Sequence, residues 1–312
     1  MIRFPGLLNT LLLLTFMAPL RAEQPSATVS HDVDVQMRNV IYHYTDQVAV
    51  QIRALRGQFV PLKGDVPVFD DKNSFALKIA SAEIAITPES LSNVLNSYVL
   101  AKADAPLKAV SVQIVRDQLT IKGKLHNKGD IPFETEGILS ITQDGKIRLH
   151  TEKVKALHLP VKGIMDLLGL KISDLINTGK IEGVAVDQDD LILDPAKLLP
   201  PPHITGRITK ARLERDNIIL VFGHTSAAAD MNVPFANYMA FRHNQLRFGK
   251  LTMTDTDMVL IDMDPHDPFD FYLDHYKEQL VAGYTKETPA FGLRVFMHDY
   301  NKLSRGKLVP SR

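Results

Sequence analysis

The stretch TPESLSNVLNSYVL, Thr87 to Leu100, decides how the rest of the chain is read. Thr87 is a good N-cap, Pro88 suits the first helical position, and Glu89 complements the positive end of a helix. Leu91, Val94, Leu95, Tyr98 and Val99 fall at i, i+3, i+4, i+7 and i+8, a single apolar stripe. Each such side chain is worth about 1.5–3 kcal/mol when fully buried. An isolated helix this short is marginal in water, so the spacing predicts a helix lying on an apolar surface.

The segments around it alternate with the period of half-buried strands. Val33 to Met37 and Gln47 to Leu55 do so first, and Pro61 to Asn73 reads as a loop. Phe75 to Ile86 places Phe75, Leu77 and Ile79 on one face, then shifts to Ala82, Ile84 and Ile86, which predicts a bulge near Ala80. Beyond the helix, Val110 to Leu125 and Ile131 to Thr151 each read as strand, polar turn, strand. Their turns fall at Arg116 to Gln118 and at Asp144-Gly145. Gly183 to Asp194 and Ile208 to Gly223 repeat the unit. The predicted fold is mainly β (α+β): a strongly coiled antiparallel meander, apolar on one face and wet on the other, wrapped around a long amphipathic helix. Gly123 and Gly137 fall on the apolar face, where they suit strong coiling or close approach to a helix.

Between the second and third hairpins, Val161, Ile164, Met165, Leu168, Ile172 and Leu175 keep helical spacing while Gly163 and Gly169 weaken it. A broken helix or two short ones fit this pattern. Lys197 to His203 reads as a rigid extended connector. After Gly223 the sequence turns small and polar, which sets a soft boundary. FRHNQLRFGKLTM, MVLIDM and FGLRVFM then read as strands, and DPFDFYLDHYKEQL (Asp267 to Leu280) as a helix capped by Asp267.

Composition narrows the function classes. Residues 1–22 carry Arg3, an apolar run from Leu7 to Ala18 and a small residue at Ala22, the layout of a secretory signal peptide. No cysteine follows that run, which predicts no lipoprotein anchor. With no cysteine anywhere, a buried core rather than disulfides must hold an exported fold together. The chain has 36 basic and 36 acidic residues; without Arg3 and Arg21 the balance is −2. Near-neutrality argues against nucleic acid as the main partner.

From about Phe75 to Gly223 the order of features resembles the LmeA-like phospholipid-binding proteins, a TULIP-like (tubular lipid-binding) group of bacterial envelopes. The resemblance runs from ITPESLSNVLN and APLKAVSVQIVRDQLTIKGKL through PFETEGILSITQDGKIRL and LHLPVKGIMDLLGLKISDL to IEGVAVDQDDLILDPAKLLPPPHITGRI. It implies a lipid-binding domain over residues 23–223, followed by a 224–312 extension of unassigned role. It also implies an exported protein of the periplasm or cell envelope that binds a phospholipid or other fatty acyl lipid. Such a protein works without cofactor or catalysis and makes peripheral contact with a membrane. An acyl chain of ~16 carbons costs on the order of 12 kcal/mol to expose to water, and an apolar tube lowers that penalty. The implied lining is Leu91, Val94, Leu95, Tyr98, Val112, Ile114, Ile121, Leu139, Ile141, Leu149, Ile164 and Leu168. The alternative is a non-enzymatic envelope scaffold or assembly factor whose stripes close as a dry core and which acts through protein contacts.

Catalytic signatures are missing. No G-x-S-x-G, H-E-x-x-H, Walker loop or G-x-G-x-x-G occurs, and GHTSA at Gly223 to Ala227 lacks the second glycine. The densest polar cluster, DMDPHDPFD (Asp262 to Asp270), has the alternating carboxylates that suit a hard cation. Leu273 stands where an EF-hand needs its final glutamate, so a structural turn is the reading adopted and no metal site is assigned. Six methionines gather between Met231 and Met297, a pattern of core filling or of an adaptable apolar surface.

Overall fold

Alternation becomes pairing almost everywhere it was read in the sequence. The computed structural model describes residues 31–101, 105, 107–125, 130–151, 155–156, 183–223 and 230–303. The predicted leader at 1–22 and the glycine-weakened helical stretch, with Ile164 and Leu168, lie outside the described residues. Three long strands open the fold, β1 (Val33–Thr45), β2 (Val48–Pro61) and β3 (Phe75–Ile86). They run antiparallel, β1 beside β2 and β2 beside β3. The predicted bulge is present: Ser81 sits opposite Arg56 and Ile79 opposite Gly57, which leaves Ala80 as the extra residue.

Helix α1 (Pro88–Val94) follows, extended by a π-helical turn at Leu95–Val99. The second group of strands is β4 (Leu107–Val115), β5 (Gln118–Leu125), β6 (Ile131–Ile141), β7 (Ile147–Thr151), β8 (Lys155–Ala156), β9 (Val184–Asp187) and β10 (Asp190–Leu193). They form a seven-stranded sheet of order β4-β5-β6-β7-β10-β9, with β8 against β6. Arg116 and Asp117 both take positive φ in the two-residue turn between β4 and β5, whose backbone twist matches that of the flanking strands.

The chain then leaves this sheet. A single turn of helix, α2 (Pro195–Leu198), leads to β11 (His203–Thr205), β12 (Ile208–Glu214) and β13 (Asn217–Gly223). These strands rejoin the first sheet, β11 parallel and β13 antiparallel to β3. The later strands are β14 (Tyr238–Arg242), β15 (Leu246–Phe248), β16 (Leu251–Met253), β17 (Asp257–Asp262), β18 (Phe269–Tyr272), β19 (Tyr284–Glu287) and β20 (Leu293–Met297). Helices α3 (Tyr276–Ala282) and α4 (Tyr300–Leu303) complete the described elements. Strand β14 pairs with β1, and the eleven-stranded sheet runs β12-β13-β3-β2-β1-β14-β17-β20-β19, with β11 and β18 alongside. Strands β15 and β16 form a separate two-stranded ribbon.

Two sequence expectations are corrected here and a third is narrowed. The hairpins do not make one coiled meander around a long helix: they divide between two sheets, and the helices among the described residues are short. The stretch expected to be a helix from Asp267 begins instead as β18, which pairs in parallel with Val40–His43 of β1. Phe269 and Phe271 are fully buried there, and aromatic residues favour the pleated, packed surface of a sheet. Helix starts only at Tyr276, after a 3-10 turn at Leu273–His275. Gly123 and Gly137, expected to serve strong coiling or close approach to a helix, have strands and not a helix as their nearest neighbours. A Cβ on Gly123 would meet the Phe133 ring at 2.9 Å, and one on Gly137 would meet Leu149 Cδ1 at 2.7 Å. Neighbouring strands of their own sheet occupy the space.

The core lies on the inner face of the large sheet. Its densest part is aromatic: Phe69, carried by the loop between β2 and β3, lies within 6.0 Å (ring centroids) of Phe241, Phe248, Phe271 and Tyr276. Met239, Met258 and Met297 are buried in this region as ordinary core.

Candidate functional site

Helix α1 begins where its sequence says. The Ser90 amide donates to Thr87 Oγ1 at 3.0 Å, and Pro88 occupies the first turn. The apolar stripe faces inward, and its polar neighbours fasten the helix to strands on two sides. The Ala49 amide donates to Ser90 Oγ at 3.3 Å, and Asn93 Nδ2 donates to Gln47 O at 2.7 Å, both at the β1–β2 turn. On the other side, the Val112 amide donates to Ser92 Oγ at 2.8 Å. Asn96 clamps Val110 both ways, taking its amide at 2.9 Å and giving Nδ2 to its carbonyl at 2.6 Å. Strand β4 is the edge of the second sheet, so these side chains satisfy backbone groups that a neighbouring strand would otherwise take.

The same asparagine explains the helix's π turn. Asn96 Nδ2 donates to Ser92 O at 2.8 Å, the carbonyl that its own amide takes in an α-helix. A side chain inserted into the hydrogen-bond ladder widens it by one residue, and Leu100 N accordingly bonds Leu95 O at 2.8 Å.

Beneath α1 lies an apolar cavity of about 60 Å³. Leu91, Val94 and Leu95 form its helical wall. Val48 and Val50 of β2, Ile84 and Ile86 of β3, and Leu220 and Phe222 of β13 come from the large sheet. Ile147 and Leu193 come from the second sheet, and Leu198 and Leu199 from α2 and the residue after it. Among the described residues, no lining side chain apart from Ser90 and the Tyr44 hydroxyl carries a polar atom. Burial pushes the Tyr44 phenol above its ordinary range. The cavity therefore marks the seam where helix, large sheet and second sheet meet. An apolar space of this kind stays dry.

The structure brings Leu91, Val94 and Leu95 together at this cavity, and the other expected lining residues that it describes do not line it. Val112 and Leu149 are buried in the core, and Ile114, Ile121, Leu139 and Ile141 are half-buried against it. Tyr98 is 41% exposed, because the π turn rotates it off the α-helical stripe. Sequence reading missed the sheet side of the cavity. Its signal was present in the alternating ends of β2, β3 and β13, which face the helix through the residues nearest the turns.

The acidic stretch from Asp262 is a lysine-bound turn. Carboxylate oxygens of Asp262, Asp267 and Asp299 lie within 4.8 Å of one another. The Lys302 ammonium stands 2.7 Å from Asp264, 2.8 Å from Asp299 and 3.2 Å from Asp267. That cation, on α4, sits inside the cluster and offsets part of its charge. Hydrogen bonds to Asp264 and Asp299 hold the lysine's pKa above its usual range, and the Lys302 bond holds Asp264 well below the usual carboxylate range. Burial raises Asp262 to about 6, against hydrogen bonds from the Asp264 amide and Asn237 Nδ2. Burial also raises Asp299. Asp267 thus serves this turn and its docking to α4 rather than capping a helix, while the Asp270 carboxylate lies 2.7 Å from His43 Nε2 of β1.

No known protein family, no curated protein and no solved structure matches this chain. Among the described residues, no helix is long and apolar enough to cross a membrane.

Proposed function

We propose that the protein is a non-enzymatic, exported envelope protein of TULIP-like kind that takes an acyl chain of a phospholipid or related lipid into the seam under α1. The observation that carries this reading is the almost entirely apolar described lining of that cavity, shared by α1, both sheets and α2. An apolar space between elements that are fastened by side-chain hydrogen bonds suits a hydrocarbon and nothing charged. At about 60 Å³ the cavity is well below the roughly 300 Å³ of the smaller ligand pockets. Lipid uptake on this reading therefore includes a displacement of α1 and its π turn away from the sheets. The small volume also favours the second reading, a dry-core scaffold that acts through protein contacts.

The test is native mass spectrometry of the full chain purified from bacteria without detergent, together with uptake of a fluorescent fatty acid. Lipid at near one-to-one stoichiometry, lost in Leu95→Trp, is the expected result. Repeatedly empty protein that also takes up no probe would reject lipid binding and leave the scaffold.

A further inference from the structure

The outer face of the large sheet, away from the apolar seam, carries a second kind of hollow. Strands β1, β2 and β3 present Gln36, Arg56 and Ser81 as one cross-strand row, and Arg38, Ala54 and Glu83 as the next. Ala54 has almost no side chain, so the rows enclose a depression of about 430 Å³ with Ala54 in its floor. That volume lies within the roughly 300–1,000 Å³ range of small-molecule sites. Two irregularities bracket it. Ile52 faces Ile84 and Ala54 faces Glu83, so Arg53 is an extra residue on β2; Ala80 is the extra residue on β3. Bulges re-aim side chains and gather beside binding sites.

The charges in this hollow do not cancel. Three guanidinium groups, of Arg38, Arg53 and Arg56, line it with two carboxylates, of Glu83 and Asp230. Glu83 is held by Arg53 at 2.8 Å and Arg212 at 3.0 Å, and Glu214 balances Arg212 within the same network. Asp230 is held by Arg56 at 3.0 Å and by Gln36 Nε2 at 3.0 Å. Arg38 adds to the field that lowers the Asp230 carboxyl, behind the larger effect of the Gln36 hydrogen bond. It makes no hydrogen bond or ion pair among the described residues and is exposed at the rim. Among the described residues one positive charge is left over, in a hollow that Ser81 also lines from two strands away.

We infer that this hollow binds a singly charged oxyanion, a carboxylate or phosphate group, through Arg38 and Ser81. Arginine suits the role because its planar fork matches such groups with two parallel hydrogen bonds. The adjoining hollow of about 420 Å³ shares Gln36, Arg56 and Asp230 and leaves room for the rest of the molecule.

Calorimetric titration of the folded full chain with inorganic phosphate, and separately with acetate, reads the site in solution. Co-sedimentation with phosphatidylglycerol vesicles reads the same chemistry on a lipid headgroup. Saturable binding of at least one probe is expected, weakened about tenfold or more in Arg38→Ala and in Ala54→Leu, which fills the floor without removing a charge. The Lys63→Ala control should bind as the parent does. Binding of soluble anions assigns a soluble ligand, and binding of vesicles alone assigns a headgroup. Folded protein that binds none of the three, or binding that Arg38→Ala leaves unchanged, overturns the site.

Discussion

The two sheets are built from similar alternating segments and close in different ways. In the large sheet, β14 and β17 are covered on both faces. Met239, Phe241, Met258 and Leu260 enter the main core, while Tyr238, Ala240, Val259 and Ile261 lie under Met231, Val233 and Phe235. In the second sheet, β6 and β7 bury Phe133, Thr135 and Leu149, while Arg148 and His150 face water and Ile138 is 51% exposed. Two-sided burial leaves little freedom to rearrange. One-sided burial, completed by a short helix fastened at an edge, leaves more. The difference locates rigidity around the aromatic core and adaptability around the seam.

Cavity formation tests that contrast most severely. Phe241→Ala should cost about 3–5 kcal/mol and Leu149→Ala about 2 kcal/mol in denaturant unfolding, since neighbours on a one-sided sheet relax into the gap. Equal costs would erase the distinction. Asn96→Ala should follow at about 2–3 kcal/mol, because both backbone groups of buried Val110 lose their partner. Hydrogen exchange at the Val110 amide should accelerate in that variant while β14 amides keep their protection. If both regions accelerate together, the seam is not a separate weak point.

Lys302→Met sharpens the view of the large sheet's far end, with an expected cost of about 1–2 kcal/mol from leaving Asp299 without its cation. The pH dependence there has a definite sign. Asp262 has its folded pKa raised from an ordinary 3.8 to about 6. Its contribution to stability is therefore complete below pH ~4 and is lost as pH rises through about 6. Stability measured between pH 4 and 7 should fall on account of this group, and Asp262→Asn should flatten that part of the profile. The smallest effect expected is for Thr87→Ala, about 1 kcal/mol through the lost cap, read as a lower thermal midpoint.

Much of the fold was legible because its signals are local. The bulge at Ala80 follows from a broken alternation, and the start of α1 from a cap, a proline and a stripe within a few residues. Where the reading failed, distant contacts decided. Asp267 looks like a helix cap until β1, more than 200 residues earlier, supplies a parallel partner for Phe269–Tyr272. The π turn needs Asn96 to find Ser92 O and Val110 together, and no stripe-counting contains that information. The candidate site was half legible: its helical wall is a periodic pattern, whereas its sheet walls come from strand ends that only the topology assembles.

The pairing of β1 with β14 sets Asp34 opposite Arg242, and this long separation governs the order in which the molecule can be made. During synthesis the opening strands emerge with one border of β1 bare, and its complement arrives only after most of the polypeptide has followed. Contacts so far apart in the chain slow folding, and an uncovered strand border invites association with other chains. A nascent fragment ending before Tyr238 should thus be prone to clumping, and holding the chain unfolded until release of its far end protects it.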